Sequence, residues 1–101
     1  MSVIALIGNK GGAGKTTLAI NLAVLLHQHS QTSLLDADPQ GSSLHWAAMT
    51  GNDSMPTVFD ATGDIEDILG QRRDEVEHLL IDCPPNLHSA QSQAALRHCD
   101  I

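Results

Sequence analysis

The residues best suited to chemistry form one run near the amino terminus: Asn9-Lys10-Gly11-Gly12-Ala13-Gly14-Lys15-Thr16-Thr17. Glycines at this density let successive backbone N–H groups turn inward as an anion nest, and a helix starting behind them adds its partial positive charge. Lys15 supplies a point charge for β- and γ-phosphates, and the Thr16 hydroxyl, one residue on, is placed to ligate Mg²⁺. Two further stretches carry acids at the ends of apolar runs: Asp36-Ala37-Asp38-Pro39-Gln40-Gly41 and Leu79-Leu80-Ile81-Asp82, the second followed by Cys83-Pro84-Pro85. Carboxylates two residues apart at a strand end are expected to share one side, toward the crevice beyond the sheet's carboxyl edge.

These residues need strands and helices to hold them. Residues 2–7 read as a short buried strand, and residues 15–28 as a helix apolar nearly all round, hence packed on most sides. A strand is expected at 32–35. Ser42 or Ser43 caps a short helix to about Met49. Further strands are expected at 57–59 and 78–81. Asp64 caps a helix over 65–71, and a weaker helix covers 88–98. The alternation indicates right-handed crossovers and an α/β fold, a parallel sheet with helices on both faces. Asp100-Ile101 reads as the start of another strand, so the sheet reads as interrupted there.

The glycine-rich run narrowly fails the GxxxxGK[ST] phosphate-loop pattern, because Asn9 stands where its first glycine belongs. With Lys10 it instead resembles the deviant Walker A motif, KGGxGKT, of the ParA/MinD family of P-loop NTPases. The resemblance implies an ATPase using ATP and Mg²⁺ and working as a nucleotide-sandwich homodimer, in which Lys10 reaches the partner's phosphates. Gly11, Gly12, Ala13, Gly14, Lys15, Thr16 and Thr17 would line the phosphates. The DADPQG segment is similar to the family's switch I, with Asp38 matching the aspartate that orients the attacking water and Asp36 lying near the metal. Its PQG continuation resembles ParA-type partition proteins more than MinD. Asp82 looks like the Walker B aspartate, holding Mg²⁺ through a water. For that, its strand must lie beside the first one, so that Asp82 and Thr16 face the same ion. Asn86 departs from the small residue that family members carry after the prolines.

The likeness covers nearly the whole chain but only about the amino-terminal half of a ParA-type ATPase. The other half would carry most adenine contacts and the basic residues for nonspecific DNA binding. A ParB-like or other activator protein is an implied partner. The cargo stays open between plasmid, chromosome and another assembly. Two alternatives remain: a nucleotide-binding module without turnover, and an iron–sulfur carrier built on the same loop, to which Cys83 and Cys99 would have to contribute.

Composition limits the remaining classes. A formal charge of −7, with 5 Lys and Arg against 12 Asp and Glu, does not suit gripping nucleic acid by charge. With one Phe, one Trp and no Tyr, the core must be aliphatic. The six histidines lack HxxxH or HExxH spacing, and His27 and His29 are expected to complement a helix dipole. Trp46 reads as core, and the acid-rich stretch 60–77 as a solvated face. Neither a secretory leader nor a membrane span is expected, and the compartment is read as cytoplasmic, with nucleoid association a further option.

Overall fold

Four apolar runs become strands and each is followed by a helix: β1 (Ser2–Leu6), α1 (Ala13–His27), β2 (Thr32–Asp36), α2 (Ser42–Thr50), β3 (Thr57–Asp60), α3 (Ile65–Arg72), β4 (His78–Asp82) and α4 (Ala90–His98). The structure, a computed structural model, describes residues 2–7, 13–39, 41–50, 56–63, 65–72, 75–84 and 89–100. The expected helix cap at Asp64 lies outside the described residues.

The sheet is four-stranded and wholly parallel, in the order β1-β4-β2-β3. β4 therefore lies directly against β1, as the chemistry of Thr16 and Asp82 required. Its register pairs Val3 with Leu79 and Leu6 with Asp82. The two inner strands are buried almost throughout, whereas β3, at an edge, is exposed at both ends. Continuous apolar runs inside and a thinner pattern at the edge are what a parallel sheet covered on both faces demands.

Alternation along the strands divides the core in two. One face carries Val3, Leu35, Leu79 and Ile81, packed with Ile65 and Leu69 of α3 and Ala94 and Ala95 of α4. The other carries Leu6, Leu34 and Leu80 against Ala19 and Ala23 of α1. The two alanines are fully buried, so their small side chains let the α1 backbone lie close to the sheet. α1 is not packed on most sides, as its composition had suggested. Leu18 and Leu25, seven residues apart on one stripe, are 59% and 56% exposed. A short helix on one sheet face meets neighbours over roughly half its circumference, whatever its other half is made of.

The register also sets a row across the carboxyl edge. Leu6, Asp82, Asp36 and Asp60 end adjacent strands at one level. At the far end of the chain, the Asp100 N–H donates to the Val3 carbonyl (2.7 Å), and the Val3 N–H donates to Asp100 Oδ2 (2.8 Å). Asp100 thus pairs with the edge of β1 that faces away from β4, where the sequence suggested a strand begins.

Leu80 sits mid-sheet between Ile4 and Leu34 and is fully buried. Leu80→Ala is expected to lower unfolding free energy by about 2–5 kcal/mol in urea titrations. Leu25→Ala, on the exposed stripe, should stay within about 0.5 kcal/mol of wild type. Equal losses would show that α1 is covered on its outer side as well.

Candidate functional site

α1 follows β1, so its first turn opens over the carboxyl edge beside the end of β4. Lys15 and Thr16 lie in that turn, and Asp82 is the last residue of β4. The Lys15 ammonium donates to Asp82 Oδ1 at 2.5 Å and also to the Cys83 carbonyl. The Thr16 hydroxyl donates to Asp82 Oδ2 at 3.1 Å. A third donor comes from a different segment: the Ser43 hydroxyl, in the first turn of α2, reaches the same Oδ2 at 3.1 Å. Asp82 has no exposed surface, and Ser43 has none either. A carboxylate removed from water at this depth is tolerated only when paired and hydrogen-bonded. One ammonium and two hydroxyls meet that need.

Asp36, also fully buried, is satisfied differently. Its Oδ1 accepts the Asp38 N–H (3.1 Å) and its Oδ2 the Leu44 N–H (3.0 Å). Burial pushes its carboxyl above the ordinary value. The two backbone donors oppose that rise, and the neighbouring negative charges of Asp82 and Asp38 add to it. Asp36 therefore shapes the turn and anchors the start of α2. The strict two-residue alternation expected to aim Asp36 and Asp38 together stops at Asp36, because β2 ends there. Asp38 lies in the bend beyond it, 9% exposed. The bend is closed by the Gly41 N–H donating to the Asp38 carbonyl (2.9 Å). Gly41 has φ +67, a left-handed conformation that a side chain would strain, and its carbonyl accepts the His45 N–H as α2 begins.

Of the other residues singled out by sequence, Lys10, Gly11 and Gly12 lie outside the described residues, as does Asn86. Ala13 and Gly14 open α1, and Thr17 on the same helix is exposed. Gly14 has an ordinary φ, and no described residue lies within 4 Å of where its Cβ would stand. Ser43 was legible only as a helix cap; no local signal could reveal a bond to a residue 39 positions away. His27 lies in the last turn of α1, where a dipole role was expected of it, and accepts the Thr32 N–H on Nδ1 (3.3 Å), a helix-to-strand tie. Among the described residues, no three or more His, Cys, Asp and Glu side chains gather as a metal site, so any metal here would depend on hydroxyl oxygens as well. No helix among them is long and apolar enough to cross a membrane.

A parallel sheet with a lysine and a threonine at a helix N-terminus, facing an aspartate at the end of the next strand, defines an α/β nucleotide-binding domain of the P-loop class. The chain belongs to the CobQ/CobB/MinD/ParA nucleotide binding domain family, whose model matches residues 4–95. Proteins named maintenance of carboxysome distribution protein A are 37% identical over 101 residues in Gloeobacter kilaueensis and 31% identical over 101 residues in Halothiobacillus neapolitanus. Each match covers 97% of this chain, and 45% and 47% of the respective relative, so the chain spans about half the length of the curated relatives it matches. A crystal structure of cobyrinic acid a,c-diamide synthase from Mycobacterium smegmatis, with bound ADP and magnesium, shares the fold at a TM-score of 0.78 and 21% identity, over 97% of this chain and 56% of that one. A plasmid partition protein from Borrelia burgdorferi matches at 0.77 and 20% identity, over 98% and 62%.

Cys83, next to Asp82, is fully buried, and burial pushes its thiol up to about 12 despite the opposing charge of Lys15. A folded value above the ordinary 9.0 means the neutral thiol stabilises the fold below that pH, and the stability is lost as pH rises toward 12. Iodoacetamide under native, mildly alkaline conditions is expected to modify half-buried Cys99 and spare Cys83 until denaturant is added, as read by mass spectrometry. Equal labelling of both would contradict the burial of Cys83.

Proposed function

We propose that the chain is the amino-terminal half of an ATPase domain that binds MgATP and hydrolyses it as a homodimer to position a large cellular cargo. The observation that carries this reading is the convergence of Lys15 and Thr16, at the start of α1, on the buried Asp82 carboxylate at the sheet's carboxyl edge. The donor set fits the group it implies. Thr16 and Asp82 offer hard oxygens suited to Mg²⁺, and Lys15 offers a cation matched to phosphate. When bound, Mg²⁺ would supply charge neutralisation at the phosphate oxygens.

In this reading Lys15 exchanges its partner. Its ammonium pairs with Asp82, and phosphate at the helix N-terminus, the more highly charged group, would draw it away. Asp38, held in the bend after β2, positions the attacking water and takes up its proton. Lys10 is the cation supplied across the dimer. The cargo-positioning role is favoured by relatives named for carboxysome distribution and by the likeness to a plasmid partition protein. A ParB-like activator, and nonspecific DNA contacts made by residues beyond this half, belong to the same proposal. The iron–sulfur alternative would need Cys83 at a surface where a cluster could bridge two chains, and Cys83 is fully buried.

Two variants separate the roles. Lys15→Ala is expected to lower ATP affinity at least tenfold in calorimetric titration, since hydrogen bonds to a charged group are worth about 1.5–3 kcal/mol. In the full-length protein, Asp38→Ala should leave MgATP affinity unchanged or tighter while phosphate release falls by about 10²–10⁴. Failure of the full-length wild-type protein to bind MgATP would overturn the proposal. Loss of MgATP binding in Asp38→Ala would make Asp38 a binding residue and not a positioner of water.

A further inference from the structure

We infer that Ser43 is a positioning residue that couples the Asp82 carboxylate to α2 and to the bend carrying Asp38; the inference rests on the MgATP reading above. A serine in a helix interior can satisfy its hydroxyl on a carbonyl of the preceding turn, but Ser43 is the second residue of α2 and has no such turn behind it. Its hydroxyl spans to the end of β4 and donates to Asp82 Oδ2 at 3.1 Å. The neighbouring residue, Leu44, gives its N–H to Asp36 Oδ2 at 3.0 Å. The first turn of α2 is thus pinned at adjacent residues to carboxylates ending two adjacent strands. Gly41, left-handed, is where the chain passes from the Asp38 bend into that turn.

The contacts of Asp82 explain why this link matters to function. Lys15 is its one ion-pair partner among the described residues and is also the group that the reading sends to phosphate. Once Lys15 leaves, Thr16 and Ser43 are the donors that keep the buried carboxylate oriented. Thr16 belongs to α1 and moves with the phosphate site. Ser43 belongs to the segment that carries Asp38, so through Ser43 that segment responds to whatever engages Asp82.

The chain holds its own reporter. Trp46, its sole tryptophan, lies on α2 three residues after Ser43 and is half-buried. In wild type, adding Mg²⁺ to the ADP-bound protein should change Trp46 emission. Ser43→Ala should bind metal-free ADP as wild type does, need about tenfold more Mg²⁺ to reach half-saturation, and lose the Trp46 response. Ser43→Thr, which keeps the hydroxyl, should restore the response. A thermal melt of each variant without ligand shows that the site is compared on folded protein. A Ser43→Ala protein with wild-type Mg²⁺ dependence and an intact Trp46 change would overturn the coupling. A wild-type protein that binds neither ADP nor MgADP would instead remove the nucleotide reading on which the coupling rests.

Discussion

The site is organised around one constraint, the burial of the Asp82 carboxylate at the end of an interior strand. A charge there is stable only if cationic and hydroxyl donors are delivered to it from elsewhere. They arrive from two helices: Lys15 and Thr16 from α1, and Ser43 from α2. Each helix must begin at the carboxyl edge for this to happen, which a parallel sheet guarantees and an antiparallel one does not. The same carboxylate that threatens the fold when unpaired therefore fixes the starting points of the two helices around it.

Strand order does the rest. The β1–α1–β2 crossover leaves a gap between β1 and β2, and β4 fills it. That insertion brings the last strand residue of the Walker B-like stretch beside the helix that opens after the glycine-rich run. It also sets Asp36 and Asp82 in register on adjacent strands. Two neighbouring buried carboxylates repel, and the repulsion contributes to the raised carboxyl of Asp36. The pair is tolerated because the donors are distinct in kind. Asp36 takes backbone N–H groups from the bend and α2, and Asp82 takes side-chain donors.

Much of this was legible beforehand, because the relevant signals are local. The β1 run and the α1 pattern follow from residues within a few positions of one another, and the elements fall within one or two residues of expectation. The adjacency of β1 and β4 was reachable from chemistry, since Thr16 and Asp82 can face one ion in no other arrangement. Three features were hidden. Leu18 and Leu25 are apolar yet exposed, and composition alone could not say which side of α1 the sheet would cover. The carboxylate of Asp36 binds the N–H of Leu44, which depends on how the bend after β2 folds back. The Ser43 to Asp82 bond joins residues far apart in the chain, and the Ser42-Ser43 pair reads locally as nothing more than a helix cap.

The central claim, that Asp82 and its donors form a phosphate and metal site in which Lys15 exchanges partners, is tested most directly by a crystal structure of the protein with MgADP. The account predicts that Lys15 Nζ leaves Asp82 for a phosphate oxygen, that Mg²⁺ is held by the Thr16 hydroxyl and, through a water, by Asp82, and that Ser43 stays within hydrogen-bond distance of Asp82. Nucleotide bound away from the α1 N-terminus, with the Lys15–Asp82 ion pair still closed at 2.5 Å, would contradict it.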